Sequence, residues 1–171
     1  MVSLGLDAST TCVGYAFTQD KKILDMGFID IKKEQTPKDK VQKVLEVLNS
    51  SDYIDEVMDI NVEDNLSGFA GGRTSQQVII KLAKFNAILC FMLENFDFTV
   101  HNINPISARK NVFGKARVKG KKAKEFVKEE IEKKFKTKKW CKETTRWNWD
   151  KRNIDMYDGL VMSLFEKKAW L

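Results

Sequence analysis

Val2-Ser3-Leu4-Gly5-Leu6-Asp7-Ala8-Ser9-Thr10-Thr11, running on into Cys12-Val13-Gly14-Tyr15-Ala16-Phe17, is the stretch from which the rest of the chain is read. Val2 to Leu6 is a short apolar run that stops at an acid, the pattern of a buried strand with a carboxylate at its end. Ala8 to Thr11 supply turn residues, and Val13 to Phe17 form a second strand. Lys21-Lys22 is read as a hairpin turn into a third strand over about Ile23 to Ile31. Three strands so closely spaced predict an antiparallel meander.

Downstream the period changes. Thr36-Pro37-Lys38-Asp39 is a helix start, with Thr as N-cap, Pro at the first position and Asp at the third. The helix is expected to reach about Asn49 and to bury Val41, Val44, Leu45 and Leu48. Glu56 to Glu63 reads as a fourth strand ending in Glu63 and Asp64. The glycine-rich stretch Ser67 to Arg73 leads into a long helix from about Thr74 to Glu94. That helix is apolar on two sides: Val78, Leu82, Phe85, Leu89 and Met92 on one, Ile80, Ala87, Ile88 and Phe91 on another. A surface helix needs only one apolar face, so the second implies deep burial or a partner chain. Phe98 to Ile103 is a fifth strand and Pro105 to Lys110 a short helix. Lys121 to Phe135 is a Lys-rich amphipathic helix, and Ile154 to Lys168 a last one. Helical crossovers require strands one, four and five to be parallel, with strand one between its neighbours. The expected architecture is α/β, a mixed five-stranded sheet flanked by helices, in one domain over residues 1–171.

Composition agrees with a packed domain. The chain has 171 residues, is 43% hydrophobic and contains only two prolines, which excludes a disordered chain. Its apolar runs are only a few residues long, so no membrane span is expected, and the N-terminus lacks the pattern of a secretory signal. Three scattered cysteines and one histidine argue against a disulfide framework and a zinc site, and favour a reducing, cytoplasmic compartment. Charge is unevenly spread. Arg109 to Arg146 holds 16 basic and 5 acidic residues, whereas the remainder holds 14 basic and 19 acidic. A basic block on a mildly acidic body is the signature of a polyanion-binding surface, although a solvated lysine-rich helix has the same composition.

The acids carry the chemistry. Open α/β sheets place ligands at the carboxyl ends of their parallel strands, and Asp7 and Glu63 are expected at two of those ends. Asp155 and Asp158, three apart at the start of the last helix, share one helical face. If that helix lies beside strand one, four carboxylates converge, and they need a compensating charge. Oxygen-only ligands favour Mg²⁺, with Mn²⁺ as a substitute. A pair of such ions activates water and stabilises the leaving oxygen of a phosphodiester.

Leu4-Gly5-Leu6-Asp7-Ala8-Ser9 with Val13-Gly14-Tyr15, then Val62-Glu63 before a long helix, then Asp155-Met156-Tyr157-Asp158-Gly159-Leu160, resemble in order and spacing the motifs of RuvC-type Holliday junction resolvases of the RNase H-like superfamily. The resemblance implies a Mg²⁺-dependent endonuclease that resolves four-way DNA junctions and leaves a 5′-phosphate and a 3′-hydroxyl. It implies Asp7, Glu63, Asp155 and Asp158 as metal-binding catalytic residues, and Lys121 or Lys122 as a catalytic lysine. It also implies a homodimer through helix 74–94. Arg73, Lys115, Arg117, Lys119 and Lys124 are the candidates for holding the DNA backbone. Two departures from the family are visible: Ala8-Ser9 stands where Pro-Gly is usual, and Leu66 stands where an aromatic is frequent, with Phe69 three residues on. They suit a phage or other viral member, whose compartment would be the host cytoplasm. Lys138 to Trp149 has no counterpart in the family pattern. Its basic and aromatic residues suit either phosphate contact with stacking on DNA, or a loop anchored to the core by tryptophans. The rival readings are a ribonuclease or transposase of the same superfamily, and a branched-DNA-binding protein without catalysis. The opening GLDAST is also like the phosphate turn of actin-like ATPases and sugar kinases, but those need a second such domain.

Overall fold

The computed structural model describes residues 1–64, 75–146 and 148–166. The strands are β1 (Val2–Ala8), β2 (Cys12–Gln19), β3 (Lys22–Asp30), β4 (Val57–Glu63) and β5 (Thr99–Ile103). They form one sheet in the order β3-β2-β1-β4-β5. β1 pairs antiparallel with β2 and parallel with β4, and β4 pairs parallel with β5. Strand one thus lies between strands two and four, as the crossover argument requires. The second hairpin, between β2 and β3, turns one residue earlier than expected, at Asp20-Lys21 rather than Lys21-Lys22, with Gln19 opposite Lys22. Both turn residues have positive φ, 50° and 62°, the mirror-image turn that matches strand twist.

Helices cover both faces. α1 (Pro37–Asn49) and α2 (Gln76–Glu94) pack on one side, where Leu4, Leu6, Ile60, Val62, Val44, Leu48, Phe85 and Leu89 share a core. α1 starts as predicted: Thr36 accepts from the Asp39 amide and the Asp39 carboxylate returns the bond. On the other side are α3 (Pro105–Phe113), α4 (Ala123–Lys134) and α5 (Asn153–Ser163), sharing a second core with Ala16, Met26, Phe126, Val127, Ile131 and Leu160. α5 ends at Ser163, short of the expected Lys168; residues 167–171 lie outside the described residues.

Two expectations about α2 need correction. Of its first stripe Leu82, Phe85 and Leu89 are buried, Met92 only partly, and Val78 is exposed, while Leu93, outside the expected stripe, is buried. By length and composition Gln76–Glu94 is also apolar enough to cross a bilayer, with mean hydropathy 1.4. Run length alone misses this, because Lys81, Lys84 and Asn86 interrupt the apolar residues without much lowering the average. The core helix of a globular domain meets the same criterion, and Phe85, Leu89 and Leu93 pack in the sheet core.

What positions the site is the close seating of α5 on the sheet. A Cβ on Gly14 would fall 1.8 Å from the Asp155 carbonyl oxygen, and one on Gly5 would fall 2.1 Å from the Ser163 amide nitrogen. On the helix side, a Cβ on Gly159 would reach 2.8 Å from Gly14. Glycines on both surfaces let backbone meet backbone. Side chains of the sheet then bond the helix end: Asn61 donates to the Met162 carbonyl at 3.0 Å and Thr18 to the Ser163 carbonyl at 3.2 Å.

Candidate active site

Asp7 is the penultimate residue of β1, and Glu63 is the last residue of β4. α5, lying against β1 and β2, brings in Asp155 and Asp158 from one face. The turn after Asp7 closes itself: the Ser9 hydroxyl donates to the Cys12 carbonyl at 2.7 Å and accepts from the Cys12 amide at 3.1 Å. Ala8-Ser9, the departure from Pro-Gly, therefore still makes a tight turn here.

Asp7, Glu63 and Asp158 are only 6%, 7% and 3% exposed. Burial pushes the Asp7 carboxyl well above its usual range, and the charges of Glu63, Asp158 and Asp155 add to the rise. Glu63 is raised to about 8 by burial and by Asp158, against the opposing charges of Arg109 and Lys124. Asp158 is raised to about 6, mainly by burial, again against Arg109 and Lys124. The four acids thus feel one another across a poorly hydrated volume. Glu63 Oε2 and Asp158 Oδ1 are buried without a hydrogen-bond partner, an expensive condition for carboxylate oxygens. Oxygen-only donors, negative charge and unsatisfied buried lone pairs fit a hard divalent cation. Among the described residues no three Asp, Glu, His or Cys side chains stand close enough to ligate one ion as oriented. The cluster is one of charge and burial rather than of finished coordination geometry.

Two cations face these acids. The Lys124 ammonium lies 2.9 Å from Asp155 Oδ1. Burial works against its charge, but the bond to Asp155 and the nearby Asp158 and Asp7 outweigh that and raise its pKa. Arg109, on α3, places Nη2 3.7 Å from Asp158 Oδ1.

The positions of the expected residues differ in kind. Lys121 is paired with Glu129 and Lys122 is the N-cap of α4. Among the described residues, Lys124 is the lysine in ion contact with one of the four acids. It had been expected only to hold DNA backbone. The helix begins at Ala123 rather than Lys121, so Lys121 and Lys122 precede it, whereas Lys124 lies in its first turn and reaches Asp155 on α5. Lys115 reaches Glu130 at 3.8 Å, while Arg117 and Lys119 are exposed on the link between α3 and α4. Arg73, Leu66, Phe69 and the glycine-rich stretch lie outside the described residues. Arg109 was missed as a site residue because only its place at the edge of the basic block marked it. Near the acids, burial pushes the Cys12 thiol up, and Asp155 and Asp7 add to this.

The unmatched segment folds back on itself. Glu143 bridges Trp149, the Thr144 amide donates to the Asn148 carbonyl at 2.7 Å, and the Asp150 amide to the Lys142 carbonyl at 3.1 Å. The buried Asn153 side chain binds both the amide and carbonyl of Lys142, at 2.9 and 2.8 Å. Trp140 and Trp149 are half-buried against the second core.

No protein-family model matches the chain, and no curated protein does. Solved structures do. Thermus thermophilus RuvC in complex with Holliday junction substrate aligns at TM-score 0.60 and 14% identity, over 95% of this chain and 90% of that one. Fowlpox virus resolvase with its substrate Holliday junction DNA aligns at TM-score 0.56 and 14% identity, over 96% and 95%. A second Thermus thermophilus RuvC structure aligns at TM-score 0.57 and 12% identity. Strand order, the helix seated on glycines and these alignments lead to one conclusion: the chain has the fold seen in the Thermus RuvC and Fowlpox virus resolvase structures, a mixed five-stranded sheet flanked by helices.

Proposed function

We propose that the chain is a divalent-metal-dependent endonuclease acting on branched DNA, with the four-way junction as its main substrate. The observation that carries this reading is the buried set Asp7, Glu63 and Asp158 beside Asp155, with two orphaned carboxylate oxygens, on Glu63 and Asp158, and with Lys124 on Asp155 and Arg109 near Asp158. Its support from outside is that the aligned Thermus and Fowlpox proteins are resolvases in complex with junction DNA.

Asp7, Glu63, Asp155 and Asp158 would hold Mg²⁺, or Mn²⁺ in its place. Such ions, when bound, supply a water nucleophile at neutral pH and charge stabilisation on the phosphoryl oxygens. The chain's own residues do the rest. Lys124 orients Asp155 and offers an ammonium to the phosphate as it enters. Arg109 keeps Asp158 ionised in a buried setting where it would otherwise take up a proton. Lys115, Arg117 and Lys119 hold flanking phosphates; such contacts position DNA and carry no sequence code. Lys121 and Lys122 extend that surface at the start of α4. Hydrolysis consumes one water, breaks the bond from phosphorus to the 3′ oxygen, and leaves a 5′-phosphate and a 3′-hydroxyl.

A four-way junction offers two equivalent strands, and a two-fold dimer offers two sites. The face of α2 turned from the core supplies a docking surface: Ile80 is 53% and Phe91 62% exposed. We take this face as the homodimer interface.

A cleavage assay tests the proposal, using four-way junction, fork, linear duplex and RNA–DNA hybrid in Mg²⁺. Wild type should cut the junction by preference, while Asp158→Asn binds it without cutting. A wild type that cuts nothing, or an Asp158→Asn enzyme as active as wild type, overturns it.

A further inference from the structure

Between the end of α4 and the folded-back segment 137–150 lies a cleft of about 830 Å³. Phe135 and Trp149 wall it, Tyr157 closes its base, and Lys136, Lys138 and Lys139 line it as well. None of this belongs to the carboxylate cluster, yet Tyr157 stands on α5 between Asp155 and Asp158 in the chain. One residue along a helix is a turn of about 100°, so the cleft and the acids face different sides of one helix about 10 Å across.

The cleft is built rather than incidental. The Tyr157 hydroxyl is bonded to Thr137 Oγ1 at 3.0 Å and lies 3.2 Å from Cys141 Sγ. It also donates to Glu132, which commits that lining carboxylate internally. Asn153 and Asp150 lock the far wall through Lys142, as described above. Lys128 lies 4.1 Å over the Trp149 ring and Lys139 lies 3.9 Å over Trp140, so cations are held against the aromatics. Among the described residues Lys136, Lys138 and Lys139 make no ion pair with an acid. Their charge is available to an outside anion.

Aromatic walls with unpaired cations at the rim are the two elements that bind single-stranded nucleic acid, through base stacking and phosphate contact. A paired base has both faces covered by its neighbours, so only an unpaired nucleotide can enter such a site. The volume lies within the range of small-molecule pockets, about 300–1,000 Å³, enough for a nucleotide or two and too little for a duplex. We infer that this cleft is a second DNA site that captures an unpaired nucleotide at the branch point, its base against Phe135 and Trp149 and its phosphate on Lys136, Lys138 and Lys139. The inference rests on the reading above that the substrate is branched DNA. It adds a preference for branches that carry unpaired nucleotides.

The test is binding in EDTA, with no cleavage, to two DNAs: a fork with unpaired nucleotides at the branch and a fully paired four-way junction. Wild type is compared with Lys138→Glu/Lys139→Glu, whose exposed positions leave the core intact, and with Trp149→Phe, which keeps a ring. The double variant should lose roughly tenfold or more in affinity for the fork. Its salt slope on the fork should fall by about 1.4, two phosphate contacts at about 0.7 each. Affinity for the paired junction should stay unchanged, and Trp149→Phe should retain most of the fork affinity. Equal losses on both DNAs, or no loss on the fork, overturn the inference. The two readings fail separately. A wild type that cuts no branched DNA in Mg²⁺ but keeps the fork effect refutes the nuclease alone, whereas a junction-cutting enzyme without the fork effect refutes the cleft alone.

Discussion

Glu63→Gln isolates the electrostatic cost of the carboxylate cluster. Glu63 is buried at the end of β4, and its carboxyl is raised from an ordinary 4.5 to about 8, by burial first and Asp158 second. The folded state therefore holds a proton that the unfolded chain has already released. Between pH 4.5 and 8 the native state binds more protons than the unfolded one, so stability falls as pH rises. The stabilising contribution is complete below about 4.5 and is lost as pH passes through 8. At about 1.4 kcal/mol for each tenfold change in proton affinity, the upper bound is roughly 5 kcal/mol. The charges of Asp158 and Asp7 share this cost with Glu63, so about half of the bound is taken for Glu63 itself. Gln keeps the shape and removes the charge, though its buried amide still costs about 1–3 kcal/mol if unbonded. That cost is independent of pH, so the informative quantity is the change in the difference between variant and wild type. For a domain of this size 1 kcal/mol moves Tm by about 2–4 °C. In EDTA, Tm of Glu63→Gln minus Tm of wild type should therefore rise by at least about 5 °C between pH 5 and pH 9. Thermal melts followed by circular dichroism read this directly. Saturating Mg²⁺ should raise the wild-type Tm at pH 8 by mass action, about 2.7 kcal/mol at a hundredfold excess over Kd, and should raise the variant less. A Tm difference flat from pH 5 to pH 9 would refute the charged, buried cluster, whatever the activity of the enzyme.

Further outcomes follow from particular contacts. Lys124→Met should cut junctions at least about a hundredfold more slowly, while Lys121→Met and Lys122→Met stay within a few fold, as read by single-turnover kinetics; equal effects at all three would remove Lys124 from its special place. Gly14→Ala should fail to fold or melt far lower, because its Cβ would sit 1.8 Å from the Asp155 backbone and overpacking of this kind costs about 1–3 kcal/mol or more; a variant melting within 2 °C of wild type would contradict the close seating of α5. Ile80→Asp or Phe91→Asp should give a folded monomer by light scattering that nicks junctions without paired cuts, and a wild type monomeric at micromolar concentration would exclude the α2 interface.

Much of this molecule is legible from local sequence. The meander, the capped α1, the acid ending β4 and the order of parallel strands all rest on interactions within a few residues, or on the rule that crossovers must pass over a sheet. Those interactions survive in almost any tertiary context, so alternation, an N-cap and a Pro at the first helical position report them reliably. The placement of the four acids was legible for a similar reason, since strand ends and a three-residue helical spacing are local properties.

Other features were invisible until the layers were packed. Nothing around Arg109 or Lys124 in the chain distinguishes them from the other cations between Arg109 and Arg146; their roles come from α3 and α4 meeting α5, where Asp158 and Asp155 wait. The lysine that meets one of the four acids is Lys124, while Lys121 pairs with Glu129, and which lysine does so depends on where α4 lies against α5. The Trp149 cleft likewise exists only because Asn153 and Asp150 fold the segment against Tyr157. The sequence by itself determined the elements, their order and the acids they carry. Tertiary structure alone decided which cations face those acids and where a cleft opens, because both depend on contacts between residues distant in the chain, whose pairing only packing selects.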